Sequence, residues 1–469
     1  MNDAVDIAII GAGPAGMSAA LKALSLGVSV RVFDEQATPG GQIYRNVLHT
    51  DARRVRTLGP DYLAGQTLAQ AFATDVGKAY EPRASVWHVE PSDGEHLVHY
   101  TQRERSLSIR ARFVVHCGGA QERPFPVPGW TLPGVMTAGA AQVLLKQDSC
   151  VPSQPVVLAG CGPLLYLIAY QYMCAGVTIR AVLDTTSTKD YWKSFPLLLR
   201  ALMKPVAWTT LGKGTGMLRR LKRAEFEWVS GVTRVAIEAG EHGRVASVKY
   251  VVKGQTQRID TALVLLHQGV VPNVQFSRAM DAEHRWKSPE DCWVPVTDVW
   301  GELAGTGVFI AGDGRGIVGA KAAAIQGRLA ALAVAARIGR TSNEERDRTA
   351  KPEWRALDAE TAVRPMLNLL YRAKPENRVP RDGVVVCRCE EVDATEIRRS
   401  VALGCQGPNH VKAFTRCGMG PCQGASCGLT VTELIADASH ISPDAVGAFR
   451  VRPPIKPVTL RQLANAVVD

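Results

Sequence analysis

The 469-residue chain has no Cys-x-x-Cys pair in its middle third, and no cysteine lies directly after the Gly40-Gly41 turn. Both absences disfavour dithiol–disulfide exchange as its chemistry. No charged segment followed by an apolar one precedes Asp3, so no secretory signal is expected, and the cytoplasm is the expected location. A transmembrane segment is lacking too. The longest uncharged stretch, 149–179, carries Gly160-Cys161-Gly162-Pro163 at its centre and divides into strand, turn and helix. Lys and Arg are spread along the chain, which argues against nucleic acid. The net charge of +11 is assigned to a solvated basic surface or an acidic protein partner. No side chain stands out as a catalytic acid or base.

The length implies about three domains. The first is announced by Val5-Asp6-Ile7-Ala8-Ile9-Ile10, a buried parallel strand, followed by Gly11-Ala12-Gly13-Pro14-Ala15-Gly16 and a small-residue helix. Gly11 permits the tight turn, Gly13 lets backbone approach a pyrophosphate, and Gly16 lets helix pack on strand. The helix N-terminus, with Pro14 at its first position, offers N–H groups from Ala15 onward to phosphate. A second strand ends at Asp34, 23 positions after Gly11, where a carboxylate can bind ribose hydroxyls. Glu35, Gln36 and the Gly40-Gly41-Gln42 turn follow and are expected against a flat cofactor.

A β-meander is expected over 84–115, ending in Val114-Val115-His116-Cys117-Gly118-Gly119-Ala120, with Gly118 and Ala120 at the cofactor and Cys117 as a packed small side chain. Val156-Val157-Leu158-Ala159 opens a second dinucleotide-type unit at Gly160, Gly162, Pro163 and Leu164. Leu165 stands where a third glycine would be, so helix–strand packing is expected to be looser there or adjusted elsewhere. Asp184 at the end of its next strand would repel a 2′-phosphate; an adenine nucleotide and a vestigial site are equally favoured. The basic, aromatic stretch 185–223 is expected to form a surface helix pair, with membrane contact as a weak option. A second meander follows from Arg234. Val308-Phe309-Ile310-Ala311-Gly312-Asp313 is a strand ending in Gly-Asp before another small-residue helix.

Six of the eleven cysteines lie from Cys387 to Cys427. Clustered thiols in a chain without a secretory signal favour metal over disulfides. Cys387-x-Cys389 is too tight for a usual zinc knuckle. The later loop is glycine-rich and can offer N–H groups to sulfide, which favours a [2Fe–2S] cluster over zinc. The expected ligands are Cys387, Cys389, Cys422 and Cys427. Cys405 is expected at a helix end, and Cys417 where the chain has still to turn toward the site.

These motifs together resemble a known family. They include Pro39-Gly40-Gly41-Gln42, Ala120-Gln121-Glu122-Arg123-Pro124, Pro128-Gly129-Trp130 through Val135, and the cysteine-rich end, which itself resembles the [2Fe–2S] domain of bacterioferritin-associated ferredoxin. The family is the α (A) subunit of heteromeric flavoprotein dehydrogenases and oxidases acting on opines, proline, hydroxyproline or glycine. The resemblance implies an α/β fold with two Rossmann-like domains and a small α-rich [2Fe–2S] domain. It implies FAD at the first glycine turn, with Asp313 on its ribityl chain, and FMN at a subunit interface. It implies a β subunit of the glycine/sarcosine-oxidase-like flavoprotein type that carries the substrate site, room for a small third subunit, and membrane association through partners. The expected domains are 1–124 with 290–338 for FAD, 125–289 for the second nucleotide-type unit, 339–380 as linker with one helix, 381–435 for the cluster, and 436–469 as tail. Two other readings stand beside this one: a single-chain NADH-dependent reductase, and a zinc-bearing scaffold without activity.

Overall fold

The computed structural model describes residues 4–466. Val5–Ile10 lies at the centre of its sheet, with Ile7, Ala8 and Ile9 fully buried. It pairs in parallel with Val30–Asp34 on one side (Ile7 to Val30) and Arg105–His116 on the other (Ile7 to Phe113). Parallel strands covered on both faces are apolar throughout, which is what the sequence shows. The helix Pro14–Ser25 starts on a proline and is followed by Gly27 at φ 69°, so both ends are set by residues suited to them.

Arg105–His116 serves two ladders. Its first part pairs antiparallel with Glu95–Gln102, which continues to Ser85–Ser92 and completes the expected meander. Its last residues pair in parallel with Val308–Ile310, so a strand from late in the chain closes the first sheet. Between these visits the chain builds a second parallel sheet in the order Glu227–Ser230, Ile179–Asp184, Val156–Cys161, Leu263–Gln268, Val135–Thr137. A meander of Arg234–Ala239, Val245–Val252 and Gln255–Asp260 packs against it. Ala120–Glu122 and Val270–Pro272 pair at the two crossings between the domains.

Leu165, at the missing third glycine, is fully buried in the core with Leu158, Ile168 and Leu265. The side chain is accommodated as a core residue, and the helix Pro163–Cys174 still follows its strand directly.

The segment after 339 differs from a linker with one helix. It forms Asn343–Thr361, Arg364–Leu370 and Pro375–Arg378. Its polar composition conceals the anchors. In the first helix Ala350 is buried, Trp354 packs edge-on to Trp300 (5.5 Å), and Glu353 receives both guanidinium arms of Arg328 (2.7 and 2.6 Å). Farther on, Arg372 makes a bidentate pair with buried Asp291 (both 2.7 Å), and Lys374 bonds Asp190 (2.5 Å). These charged contacts strap the segment over both domains.

The boundary expected at 435 falls inside the helix Gly428–Ser439. Val446 and Phe449, beyond it, belong to the same core as Val386, Ile397, Val431 and Leu434. The stretch read as a tail thus completes the cysteine domain. No helix among the described residues is long and apolar enough to cross a membrane.

Candidate functional site

Four distant segments meet at the N-terminus of Pro14–Ser25. A Cβ on Gly11 would lie 2.6 Å from the Cys117 carbonyl oxygen, and one on Gly16 would overlap the Gly11 carbonyl oxygen. Strand, turn and helix are therefore in backbone contact, which only glycine allows at these two places. Gly40 donates its N–H to Ala12 O (2.8 Å), and a Cβ on Gly41 would lie 2.8 Å from Gly13 Cα. Gly312 approaches Ala15, and Gly314 approaches Gly119 (3.1 and 3.5 Å from an added Cβ). The helix has no side-chain cap, so its first N–H groups carry no side-chain acceptor. Gly13 stays open on its own side, the nearest atom to an added Cβ being Gly41 Cα at 3.8 Å.

Asp34 spans this turn. One carboxylate oxygen accepts from Ala12 N (2.5 Å), the other from Gln36 N (2.7 Å). Burial raises its carboxyl above the ordinary range, and these two N–H groups oppose that. Glu35 faces outward to Ser85 and Lys456. Asp313 accepts from Val318 N (2.8 Å) and Gly319 N (3.0 Å), fixing the loop ahead of the helix Ala320–Arg337. Gly118 packs on the His116 ring, and Ala120 joins the strand pair that leads out of the site. Burial pushes the Cys117 thiol up to about 12, so it packs as a small apolar side chain.

Two cations unforeseen in the sequence support the Gly40-Gly41-Gln42 turn. Arg45 reaches Gln36 Oε1 (2.6 Å) and Gln42 Oε1 (3.1 Å), and its Nε is buried without a partner. Lys146 reaches Gln42 O (3.1 Å) and Gln142 Oε1 (2.9 Å) from the helix Ala138–Asp148, and burial pulls its ammonium down to about 7. The open face of Gly13 and the uncapped helix form a cradle that suits the pyrophosphate of FAD, and Arg45 Nε is a buried donor left unpartnered beside the Gly40-Gly41-Gln42 turn.

The second glycine turn is differently furnished. Gly160 lies against the His267 carbonyl and Gly162 has φ 105°. Asp184 accepts from Thr186 N (2.8 Å). Pro163, Leu164 and His267 border a cleft whose other wall is the strap, with Arg364 and Arg372. Tyr371 sits over the turn: a Cβ on Gly162 would be 3.9 Å from its Cβ, and Cys161 Sγ bonds its carbonyl oxygen (3.5 Å). His267 is oriented from behind by Glu122, Nδ1 to Oε1 2.7 Å, while Glu122 Oε2 accepts from Gly139 N (2.9 Å).

In the C-terminal domain five thiols form two adjoining groups. Cys387, Cys417 and Cys427 place their sulfurs within 4.8 Å of one another, and Cys389 Sγ lies 3.7 Å from Cys422 Sγ. The Cys417 and Cys427 thiols, with the N–H groups of Gly418 and Glu390, draw the Cys387 thiol down to about 2. Convergent thiols with backbone donors suit a thiolate-held cluster. Cys417 is nearer than expected because Arg416 already turns the chain, at φ 63° and ψ 4°, directly after the helix Pro408–Thr415. Gly418 and Gly424 wrap the Phe449 ring, and Gly420 lies against Cys389. Cys405 is buried in the same domain core just beyond Ala394–Ala402, and its sulfur is not among the three that cluster. The cysteine domain is tied to the first site by side-chain amides: Gln121 Nε2 donates to Ala425 O (2.7 Å), and Gln275 Nε2 to Cys422 O (3.0 Å).

The family model described as pyridine nucleotide-disulphide oxidoreductase matches residues 5–339, and that described as the sarcosine oxidase A3 domain matches 384–466. The chain is 42% identical to the A subunit of an opine oxidase of Agrobacterium tumefaciens (strain Ach5), over 99% of this chain and 92% of that one. It is 29% identical to the hydrogen cyanide synthase subunit HcnB of Pseudomonas protegens, over 96% and 95% of the two chains. The crystal structure of L-proline dehydrogenase from P. horikoshii matches with a TM-score of 0.69 at 17% identity, over 98% of this chain and 79% of that chain, a likeness of fold.

Proposed function

The chain belongs to the family of opine oxidase A subunits, and from that premise we propose that it is the electron-carrying subunit of a heteromeric oxidase of an opine or amino acid. The fold supports FAD at the first glycine turn. Gly11, Gly13 and Gly16 admit the pyrophosphate, with Pro14 and Ala15 at the helix start. Asp34, with Gln36 beside it, borders the adenosine ribose, Gly40, Gly41 and Gln42 face the flavin side, and Gly312 and Asp313 close the ribityl end. The thiolates of Cys387, Cys389, Cys422 and Cys427 hold a [2Fe–2S] cluster, with Cys417 donating a hydrogen bond to Cys387. When bound, the flavin supplies two-electron acceptance and the cluster single-electron transfer.

The junction between the two sites carries this reading. Gln121 lies on the strand that begins at Ala120, directly after the Gly118-Gly119 turn of the flavin site, and holds the loop that presents Cys422 and Cys427. A route between them therefore runs within one chain. The substrate site is assigned to a partner chain, in keeping with the relatives' description as subunits. A β subunit of the glycine/sarcosine-oxidase-like flavoprotein type suits that role, with FMN at the interface, a small third subunit, and cytoplasmic assembly that meets the membrane through partners. The second cleft, with Gly160, Gly162, Pro163 and Leu164, fits an adenine nucleotide lacking a 2′-phosphate.

The test is the visible spectrum of the co-purified complex with flavin, iron and acid-labile sulfide analysis of this chain. One FAD with two irons and two sulfides is expected. A colourless chain containing zinc, or a chain whose flavin is bleached by NADH alone, would replace the proposal with one of the two other readings.

A further inference from the structure

The helix Thr188–Ala201 is apolar on two faces. Leu197, Leu198 and Ala201 pack toward Ala207, Val363, Met366 and Leu370. The outward face carries Tyr191, Trp192, Phe195 and Leu199, and Met203 and Trp208 extend it round the corner to the helix Pro205–Lys222. Trp192 is 73% exposed, Met203 81% and Trp208 63%. These six are among sixteen large exposed hydrophobic residues in the described chain, gathered within eighteen positions. The Trp192 and Phe195 rings lie 6.3 Å apart, and Trp208 Nε1 donates to Leu202 O (3.0 Å), which ties the Trp208 ring back to the end of the first helix. Single exposed apolar side chains are ordinary, whereas a contiguous aromatic patch marks a binding surface.

Charge identifies the occupant. From 185 to 223 the basic residues are Lys189, Lys193, Arg200, Lys204, Lys213, Arg219, Arg220, Lys222 and Arg223, and the one acid is Asp190. Asp190 is buried and taken up by Lys374 and Ser187. At 100° per residue Lys189, Lys193 and Arg200 share one edge of the first helix, alongside the apolar face. Trp and Phe beside a row of cations, on a helix lying flat along the protein, is the pattern of an interfacial membrane helix.

We propose that residues 188–208 form a docking face for an anionic bilayer surface. Trp192, Phe195, Leu199 and Trp208 enter the headgroup boundary, and Lys189, Lys193 and Arg200 meet lipid phosphates. This is direct contact by the chain itself, in place of the partner-mediated contact given above, and it does not depend on the cofactor assignment.

The test is co-sedimentation of the assembled complex with vesicles of phosphatidylcholine alone and of about 70:30 phosphatidylcholine and phosphatidylglycerol. Binding to the second only is expected, weakened at about 0.5 M NaCl. The triple variant Trp192→Ser/Phe195→Ser/Trp208→Ser should lower the bound fraction about tenfold with FAD and iron content unchanged, and Lys189→Glu/Lys193→Glu/Arg200→Glu should do the same. Absence of binding to anionic vesicles overturns the proposal, as does binding that both variants retain. Loss of the partner chain from the purified triple variant, with vesicle binding intact, would assign the face to a protein instead and equally overturn it.

Discussion

Gly13 and Gly41 face each other across the first nucleotide turn, backbone to backbone, with room for a side chain on the first and none on the second. Gly13 has an ordinary extended backbone (φ −76°), so Gly13→Val is compatible with the chain's own fold. Its methyl groups would occupy the space where a pyrophosphate approaches the helix. FAD affinity should drop by at least about tenfold, roughly 1.4 kcal/mol, with the melting temperature of the flavin-free protein little changed. Gly16→Val, by contrast, drives a side chain into the Gly11 carbonyl and should destabilise by several kcal/mol, on the order of an overpacked core. Flavin stoichiometry and thermal melts of the two variants separate the roles.

Iron content and the reduced-state EPR signal decide the cluster ligands. Cys387→Ser, Cys389→Ser, Cys422→Ser and Cys427→Ser should each lose or strongly perturb the signal. Cys417→Ala should retain both irons and lower the reduction potential, because the ligand sulfur of Cys387 loses a hydrogen-bond donor. Loss in Cys417→Ala with retention in Cys427→Ser would make Cys417 the fourth ligand.

Lys146 makes stability depend on pH in a defined window. Its folded-state pKa, near 7, lies below the unfolded value of 10.5, so above pH 7 the unfolded state binds more protons than the folded one. The native protein should therefore gain stability from this group as pH rises from 7 toward 10.5, by a few kcal/mol on the order of 1.4 per unit. Below pH 7 the burial cost is fully present. Lys146→Met should flatten that rise, measured as the difference between wild-type and variant denaturant midpoints across the window.

The isolated chain should bind FAD and iron yet oxidise no opine or amino acid, and activity should appear on adding the partner chain. Sustained oxidation of a substrate by the isolated chain, measured with an artificial acceptor, would place the substrate site here.

The local motifs are legible because their causes are local. Gly11, Gly13 and Gly16 are spaced by one turn of helix and one strand end, and Asp34 closes the same βαβ unit. The alternation of 84–115 similarly specifies its meander. What escapes the sequence depends on tertiary contact. Lys146 and Gln42 lie 104 positions apart. The strap looks like a linker because its few anchors, Ala350, Glu353 and Trp354, are scattered through charged surface. The position of Cys417 is hidden because one left-handed residue, Arg416, turns the chain sooner than composition suggests.

Arg378 pairs with Asp291 of the flavoprotein body at 3.5 Å and with Glu433 of the cysteine domain, while Arg372 grips the same Asp291 from the neighbouring turn. Both carboxylates are buried, so separating the domains would strand charge in the interior. With FAD and the cluster bound as proposed, the gap between them should accordingly be set at folding and not open and close with each turnover. Electron passage inside the chain should be indifferent to solvent viscosity, leaving any viscosity dependence of turnover to encounters outside it.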